Sequence, residues 1–250
     1  MTSSVMSLPV HELDSAAPPV PQTIEQTGLS HTFLEQHLLR LLYFRGELIG
    51  REIAQSMGVQ FSLIEPLIIV AVANTGEERI HEYAPTRGVI DAKAKRKKRS
   101  KGLARKYGHF LIDELKPYID RKYQTNPDAE FTGLGGSSLG GLVTLAIGIL
   151  YPHAFSRLMV MSPSIWWDDF AIYRLVDSIE QKPPLKIWLD TGTAEAGWEP
   201  ARELLNRLVE KGWKRHKDLQ YMEAQSADHS EAAWAARAEP ALRFLFPPTK

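Results

Sequence analysis

The chain has 250 residues, 44% of them hydrophobic, and its 30 basic and 30 acidic residues give a formal net charge of zero. This length can bury the core of one full domain plus a small appendage, and a zero net charge gives no global field that would attract nucleic acid or a membrane surface. The absence of cysteine excludes disulfides, thiolate zinc sites and a cysteine nucleophile.

Residues 1–26 form the first of three predicted regions, a tail rich in serine, proline and alanine. The tail offers little apolar surface to bury, so we expect it to be disordered. It has neither a basic start nor a continuous apolar run, which predicts no signal peptide and favours a cytoplasmic protein. The longest apolar runs elsewhere in the chain are too short to span a bilayer, and no membrane partner is expected.

Residues 27–63 form the second region, which is predicted to be helical. Apolar residues recur at helical spacing after Ser30, a suitable N-cap. A further helix over residues 50–57, a turn at Gly58 and a short helix from Ser62 outline a helix-turn-helix.

Residues 64–250 form the third region, in which predicted strands and helices alternate. The predicted strands are residues 67–73, a short stretch ending at Phe131, and residues 157–161, 185–189 and 219–223, and the predicted helices are residues 101–121, 139–151, 200–211 and 231–246. The alternation predicts an α/β fold with a mostly parallel sheet covered on both faces. Ligands of such sheets bind at the carboxyl ends of the strands.

A basic run occupies residues 93–106, where nine of fourteen residues are Lys or Arg and none is acidic. Such a run could bind nucleic acid. We favour a solvated loop that leads into a helix, because no aromatic residues suited to base stacking are interleaved with the cations.

The spacing Gly136-x-Ser138-x-Gly140 spans the start of the apolar helix predicted over residues 139–151. Ser138 directly precedes this helix, and Gly140 lies in its first turn. This pattern is typical of a nucleophile elbow, a strand-to-helix turn that holds a serine hydroxyl exposed. We expect both glycines to be required, because a Cβ at either position would clash. An ordinary Gly/Ser turn has the same composition, but the flanking strand and helix favour the elbow.

A serine nucleophile needs a base to remove its proton, normally a histidine held by a carboxylate. In an α/β-hydrolase the acid and then the histidine follow the serine along the chain, each after a strand. His229 directly follows the last predicted strand and precedes the last predicted helix. This position selects His229 from the eight histidines as the candidate base.

Two carboxylates follow the strand predicted at residues 185–189. Glu195 lies on the loop proper and could reach a histidine, so we favour it as the acid. Asp190 lies at the strand end, where it could instead bond to nearby backbone, and is the alternative. Asp168 and Asp169 follow an earlier strand and are weaker candidates.

Six motifs occur in one order along residues 64–247. They are Pro66-Leu67-Ile68-Ile69-Val70, Arg79 with Glu82-Tyr83, Gly135-Gly136-Ser137-Ser138-Leu139-Gly140-Gly141, Ser162-Pro163-Ser164 with Trp166-Trp167, Gly192-Thr193-Ala194-Glu195, and Asp228-His229-Ser230-Glu231. Together they resemble the bacterial serine esterases of the α/β-hydrolase superfamily, a group that includes enterochelin-esterase-like, feruloyl-esterase-like and S-formylglutathione-hydrolase-like enzymes.

The resemblance implies an α/β-hydrolase-like three-layer sandwich that hydrolyses a small-molecule ester without a metal or cofactor. It implies an acyl-enzyme on Ser138, with His229 as the base and Glu195 as the acid. It further implies that Trp166, Trp167 and Arg79 line the substrate cleft. The two tryptophans could equally be core aromatics.

Members of this family begin with strands that this chain does not match, and one of those strands leads to the second oxyanion donor. Residues 27–68 resemble instead a winged-helix-like segment of certain bacterial ATPases, which suggests a fusion that replaced the first strands. The first oxyanion donor is the N–H of Leu139, the residue after the nucleophile. Asn74 is one candidate for the second donor. Gly46 is the other, if residues 41–44 form the missing strand, although their helical spacing argues against it.

The leading hypothesis is therefore a serine carboxylesterase that acts on small soluble esters. An alternative of a different class is a catalytically weak or degenerate hydrolase domain fused to a nucleic-acid-binding or regulatory helical segment, which would bind DNA in a salt-dependent manner. A second alternative is a siderophore esterase or a feruloyl or acetyl-carbohydrate esterase, which differs from the leading hypothesis only in its substrate.

Overall fold

The computed structural model describes residues 67–90, 98–196 and 198–247. The predicted tail, the whole predicted helical segment with Gly46, and the start of the basic run, residues 93–97, lie outside the described residues. Within the described part of the chain, no helix is both long enough and apolar enough to cross a membrane.

Four strands form one parallel sheet. They are β1 (Gly133–Ser137), β2 (Arg157–Met161), β3 (Lys186–Gly192) and β4 (Leu219–Ala224), and they lie side by side in that order. Parallel neighbours need a crossover connection, which a helix supplies between each pair. The prediction of a parallel α/β sheet is confirmed.

Among the described residues, three α-helices precede β1, and one α-helix follows each of the four strands. They are α1 (Arg79–Glu82), α2 (Ala104–His109), α3 (Lys116–Lys122), α4 (Leu139–Leu150), α5 (Trp167–Asp177), α6 (Glu199–Glu210) and α7 (Glu231–Leu245). A π-helical turn, Phe110–Leu115, joins α2 to α3, so the helix predicted over residues 101–121 is present with a local widening. Short 3-10 helices cover Gly76–Glu78 and Ala129–Phe131.

The core lies on both faces of the sheet. Successive strand residues point to opposite faces, so Leu158 and Val160 contribute to the larger cluster, which α4, α5 and α6 cover. Met159 and Trp188 pack on the other face with α7. The result is three layers, with helices above and below a parallel sheet, as in α/β-hydrolase-like proteins.

The structure corrects two predicted strands. Residues 67–73 have irregular backbone, with 45% of Ile68 and 40% of Val70 exposed. An apolar, β-branched run favours a strand only where a neighbouring strand can pair with it, and the described residues provide none here. The strand before the elbow begins at Gly133 and does not end at Phe131, because the glycine run itself forms the ladder with β2.

Candidate active site

Ser138 occupies the turn between β1 and α4. Its backbone has φ 59° and ψ −122°, a conformation that is strained for any residue other than glycine. The Ser138 N–H donates to the Met161 carbonyl oxygen at 3.0 Å, which ties the turn to the neighbouring strand β2. The side chain of Ser138 makes no capping bond to α4, so its hydroxyl is left for other partners.

Close packing explains one of the two elbow glycines. A Cβ on Gly136 would lie 2.7 Å from the carbonyl carbon of Gly140, closer than real Cβ contacts allow. A Cβ on Gly140 would meet no atom within 4 Å, so the expectation that both glycines avoid a clash is wrong for Gly140. The second close approach is at Gly141, where a Cβ would lie 2.8 Å from the Met161 carbonyl oxygen.

Glu195 and His229 are in contact. The Nδ1 atom of His229 lies 2.9 Å from Oε2 of Glu195. The Glu195 side chain is 7% exposed and the His229 side chain is 45% exposed, so the carboxylate is buried while the imidazole can be reached from solvent. The ring of Trp234 meets His229 edge-on, with the ring centroids 4.9 Å apart. Contacts on two sides therefore hold the imidazole.

The other carboxylate oxygen of Glu195 is anchored at the end of β3. Oε1 accepts hydrogen bonds from the Gly192 N–H at 2.8 Å and from the Ser162 hydroxyl at 2.5 Å. A Cβ on Gly192 would clash with the carbonyl oxygen of Ala227, two residues before His229. Glycine at this position therefore lets the loops that carry the acid and the histidine approach each other.

Asp190, the alternative acid, is completely buried elsewhere. Its Oδ2 accepts from Trp188 Nε1 at 2.7 Å, and its Oδ1 accepts from the Ser162 N–H at 3.2 Å and lies 3.1 Å from Arg237 Nη2. Burial raises the pKa of Asp190, and the neighbouring Arg237 guanidinium opposes that rise. Among the described residues it is Glu195, not Asp190, that contacts His229.

The two weaker acid candidates also lie apart from His229. The backbone carbonyls of Asp168 and Asp169 accept hydrogen bonds from the Arg174 guanidinium. Both residues have positive φ angles, 48° and 53°, at the start of α5. They shape the chain after β2 and do not join the contact between Glu195 and His229.

The Ser138 hydroxyl pairs with Ser164. The two hydroxyl oxygens are 3.3 Å apart, and the Ser164 N–H donates to the Ser138 carbonyl oxygen at 3.0 Å. Within the described part of the chain, Ser138 and His229 share no hydrogen bond. Catalytic hydrogen bonds are often long in a free enzyme and shorten when substrate binds.

The oxyanion candidates differ in what they can offer. Leu139 is the first residue of α4, where a backbone N–H has no partner within the helix. Asn74 is exposed, and its side-chain oxygen accepts from the Gly76 N–H at 2.9 Å. This bond occupies only the acceptor oxygen of Asn74, whereas its side-chain NH2 and its backbone N–H are the groups that could donate to an oxyanion. Gly46 lies outside the described residues.

The candidate cleft residues divide into exposed and buried groups. Trp166 is 60% exposed, whereas Trp167 is 1% exposed and donates from Nε1 to the Thr86 hydroxyl at 3.2 Å. Trp167 packs into the space left by Gly88, so the expectation that it lines the cleft is wrong, and it is a core aromatic. Arg79 is half-buried on α1, with its guanidinium 5.4 Å from the Tyr83 ring centroid.

Four residues at this site were not singled out by the sequence as site residues: Ser162, Ser164, Trp234 and Arg237. The two serines belong to a motif that carried the family resemblance, which was the available signal. Arg237 gave no signal, because arginine is usually a surface residue. Across residues 67–90, 98–196 and 198–247, no three histidine or acidic side chains are grouped so that they could hold a metal ion.

A family model described as "Putative esterase" matches residues 43–245, about four fifths of the chain. The chain belongs to the Esterase family. It is 26% identical over 212 residues to uncharacterized protein YjcH of Bacillus subtilis, a match that covers 80% of this chain and 79% of that protein. It is 35% identical over 118 residues to ferri-bacillibactin esterase BesA of the same organism, which covers 43% of this chain and 40% of BesA.

Solved structures give the same fold. The BES protein from Bacillus cereus superposes with a TM-score of 0.54 at 26% identity, covering 70% of this chain and 66% of that one. The enterobactin esterase FES from Shigella flexneri superposes with a TM-score of 0.51 at 22% identity, covering 57% and 38%. This chain therefore spans less than half of BesA and of FES, and less than two thirds of the Bacillus cereus protein.

These matches confirm the predicted esterase family and α/β-hydrolase-like fold. The likeness of residues 27–68 to a segment of bacterial ATPases stays a prediction, because nearly all of those residues lie outside the described part. The family match begins at residue 43, within that segment.

Proposed function

We propose that this protein is a serine carboxylesterase that hydrolyses small carboxylic esters through an acyl-enzyme on Ser138. The observation that carries the proposal is the contact between Glu195 Oε2 and His229 Nδ1. It occurs in a chain of the Esterase family in which the backbone of Ser138 is strained. A degenerate hydrolase domain would have no need for a buried carboxylate fixed against an accessible imidazole.

His229 would act as the base and Glu195 as its carboxylate partner. Since Nδ1 faces Glu195, the other ring nitrogen, Nε2, is free to take the proton from the Ser138 hydroxyl. The Ser138 oxygen then attacks the ester carbonyl carbon. His229 returns the proton to the leaving alcohol as the ester C–O bond breaks, which leaves the acyl group on Ser138. Water repeats the sequence and releases the carboxylic acid.

Two N–H donors would stabilise the negative charge on the carbonyl oxygen. Leu139 supplies the first. For the second we favour Gly46 over Asn74. Asn74 is exposed, and a donor in water stabilises an oxyanion less than one in a water-excluded site. The family match, which begins at residue 43, includes Gly46. The outer edge of β1, which has no neighbouring strand among the described residues, is where an additional strand would be placed.

A siderophore ester is the second candidate substrate. Its support is the 35% identity to a ferri-bacillibactin esterase over 118 residues and the 60% exposure of Trp166, which comes two residues after Ser164 in the chain. An exposed indole offers a flat surface on which an aromatic acyl group could stack.

A fluorophosphonate probe tests the assignment, because it reacts only with a serine that is activated and accessible. We expect mass mapping to place the adduct on Ser138, and labelling to be lost in Ser138→Ala and His229→Ala. Hydrolysis of p-nitrophenyl acetate should follow the same pattern. Undiminished turnover by Ser138→Ala would overturn the proposal.

The substrate is tested with two esters. For a siderophore esterase, kcat/KM for ferri-bacillibactin should exceed that for p-nitrophenyl acetate, and Trp166→Ala should lower only the former. An equal loss on both esters would place Trp166 outside substrate selection.

A further inference from the structure

The hydroxyl of Ser162 connects the candidate acid to the closing helix α7. It donates to Glu195 Oε1 at 2.5 Å and accepts from Trp234 Nε1 at 3.1 Å and from Arg237 Nη2 at 2.9 Å. A serine hydroxyl has one donor and two acceptor positions, so these three bonds use all of them. The orientation of the Glu195 carboxylate is therefore tied to two side chains of α7.

Arg237 is the unusual member of this group. It is 2% exposed, and arginine is almost never so buried unless it is paired. Its Nη2 lies 3.1 Å from Asp190 Oδ1 and 3.8 Å from Glu195 Oε1, so one guanidinium serves two buried carboxyl groups. Asp190, held in turn by Trp188, fixes the position of that guanidinium.

The geometry of α7 explains why these residues act together. Trp234 and Arg237 are three residues apart, which puts both on one face of a helix. The helix begins at Glu231, immediately after the loop that carries His229, and Trp234 also meets the His229 ring edge-on at an interplanar angle of 88°. One helix face thus contacts His229 directly and reaches Glu195 through Ser162.

We propose that Arg237 is a positioning residue that, through Ser162, holds the Glu195 carboxylate in the orientation in which Oε2 meets His229 Nδ1. The inference rests on the proposed catalytic roles of Glu195 and His229. Glu195 stands on a loop, where the Gly192 N–H and the Ser162 hydroxyl together anchor Oε1, and the bond from Ser162 is the part of this anchor that connects to α7. An error of about 1 Å in such a contact can cost on the order of a hundredfold in rate.

The test measures kcat and KM for p-nitrophenyl acetate in two variants, each made in the wild-type and in the Glu195→Gln background. Arg237→Lys keeps the charge but shortens the side chain and removes Nη2, the guanidinium nitrogen that contacts Ser162 and Asp190, and Ser162→Ala removes only the connecting hydroxyl. In the wild-type background we expect kcat to fall about tenfold or more, with KM within about twofold, because neither side chain touches substrate. In the Glu195→Gln background either variant should lower kcat by less than about twofold further, since both act through Glu195.

Arg243→Lys is the matched control. Arg243 lies on the same helix, is 43% exposed and pairs with Glu239, so kcat and KM should not change. Melting temperatures of all variants establish that the measured samples are folded at the assay temperature. If Arg237→Lys does not fold, Ser162→Ala still tests the inference.

An equal loss of kcat in both backgrounds would overturn the inference, because it would mean that Arg237 and Ser162 support the fold and not Glu195. Unchanged kcat in both variants would overturn it as well. In both cases Ser138-dependent turnover by the wild type would leave the proposed function standing. Absence of that turnover in the wild type would overturn the proposed function and, with it, the inference.

Discussion

The two sides of Ser138 are built very differently. On one side, the elements β3, β4 and α7 bring the largely buried Glu195 carboxylate into contact with the accessible His229 imidazole. On the other side, β1 has no neighbouring strand at its outer edge among the described residues, and residues 67–73 form no strand. The part of the site that would move protons is thus complete within residues 133–245. For the oxyanion, the first proposed donor, Leu139, lies within the same residues, and the second, Gly46, lies outside the described part of the chain.

The largest expected effect distinguishes the roles of the two carboxylates, Glu195 and Asp190. Glu195→Gln should lower kcat on the order of ten-thousandfold, as loss of the acid does in other serine hydrolases, because the amide cannot stabilise the imidazolium. Asp190→Asn should cost far less in kcat and appear chiefly as a lower melting temperature. Steady-state kinetics with p-nitrophenyl acetate measure both. A larger loss of kcat for Asp190→Asn would reverse the assignment.

The next effect concerns the second oxyanion donor, for which Gly46 is proposed. Removal of residues 1–46 should lower kcat about a hundredfold or more, since loss of one oxyanion donor costs that much. Removal of residues 1–26 should leave kcat unchanged and serves as the control. Asn74→Ala should change kcat by less than about twofold. A hundredfold loss in Asn74→Ala would instead make Asn74 the second donor.

A smaller effect tests the elbow between the two sides. Gly136→Ala should lower the free energy of unfolding by about 1–3 kcal/mol, because its Cβ would overlap the Gly140 backbone. Gly140→Ala has open space around its Cβ within α4 and should raise the free energy of unfolding by roughly 0.5–1 kcal/mol through better helix propensity. Urea denaturation measures both. Equal destabilisation by the two substitutions would contradict the packing described above.

The smallest effect lies at the start of β4, away from the site. Burial opposes ionisation of Asp218, but hydrogen bonds from Lys182 Nζ and the Lys214 N–H outweigh it and lower the pKa of Asp218. A lowered folded-state pKa stabilises the fold above the unfolded value of about 3.9, and the gain is lost as the pH falls through the folded value.

Asp218→Asn should therefore lower the free energy of unfolding by less than about 1 kcal/mol at pH 7, and the difference should shrink towards pH 2. Thermal unfolding at both pH values measures it, and esterase activity at pH 7 should be unaffected. A difference that persists unchanged at pH 2 would show that ionisation of Asp218 is not its cause.

Local sequence patterns predicted well the elements that carry Ser138, Glu195 and His229. The helix after Ser138 and the strands that precede Glu195 and His229 are where periodicity placed them, within a few residues. The positions of these helices and strands depend on residues that are close together in the sequence. The order of serine, acid and histidine along a parallel sheet then limits which residues can meet.

What the sequence could not provide depends on contacts between distant residues. Residues 67–73 have strand composition but no partner strand among the described residues, and the burial of Trp167 follows from its fit beside Gly88. Arg237 is buried only because Asp190, Ser162 and Glu195 surround it. No periodicity marks such a position, since the charges that compensate it come from β3 and the loop that follows it, far from Arg237 in sequence.

The register of the sheet has a practical consequence for redesign. Four residues lie opposite one another in the register of the four strands: Ser137, Met161, Asp190 and Met222. The loops that follow these four residues carry most of the site. The pairing of the strands therefore sets the distances between the points at which the loops begin. The Trp166 side chain, exposed between the buried Ile165 and Trp167, could therefore be replaced to admit a different acyl group, while the strands beneath keep the spacing of Ser138 and His229.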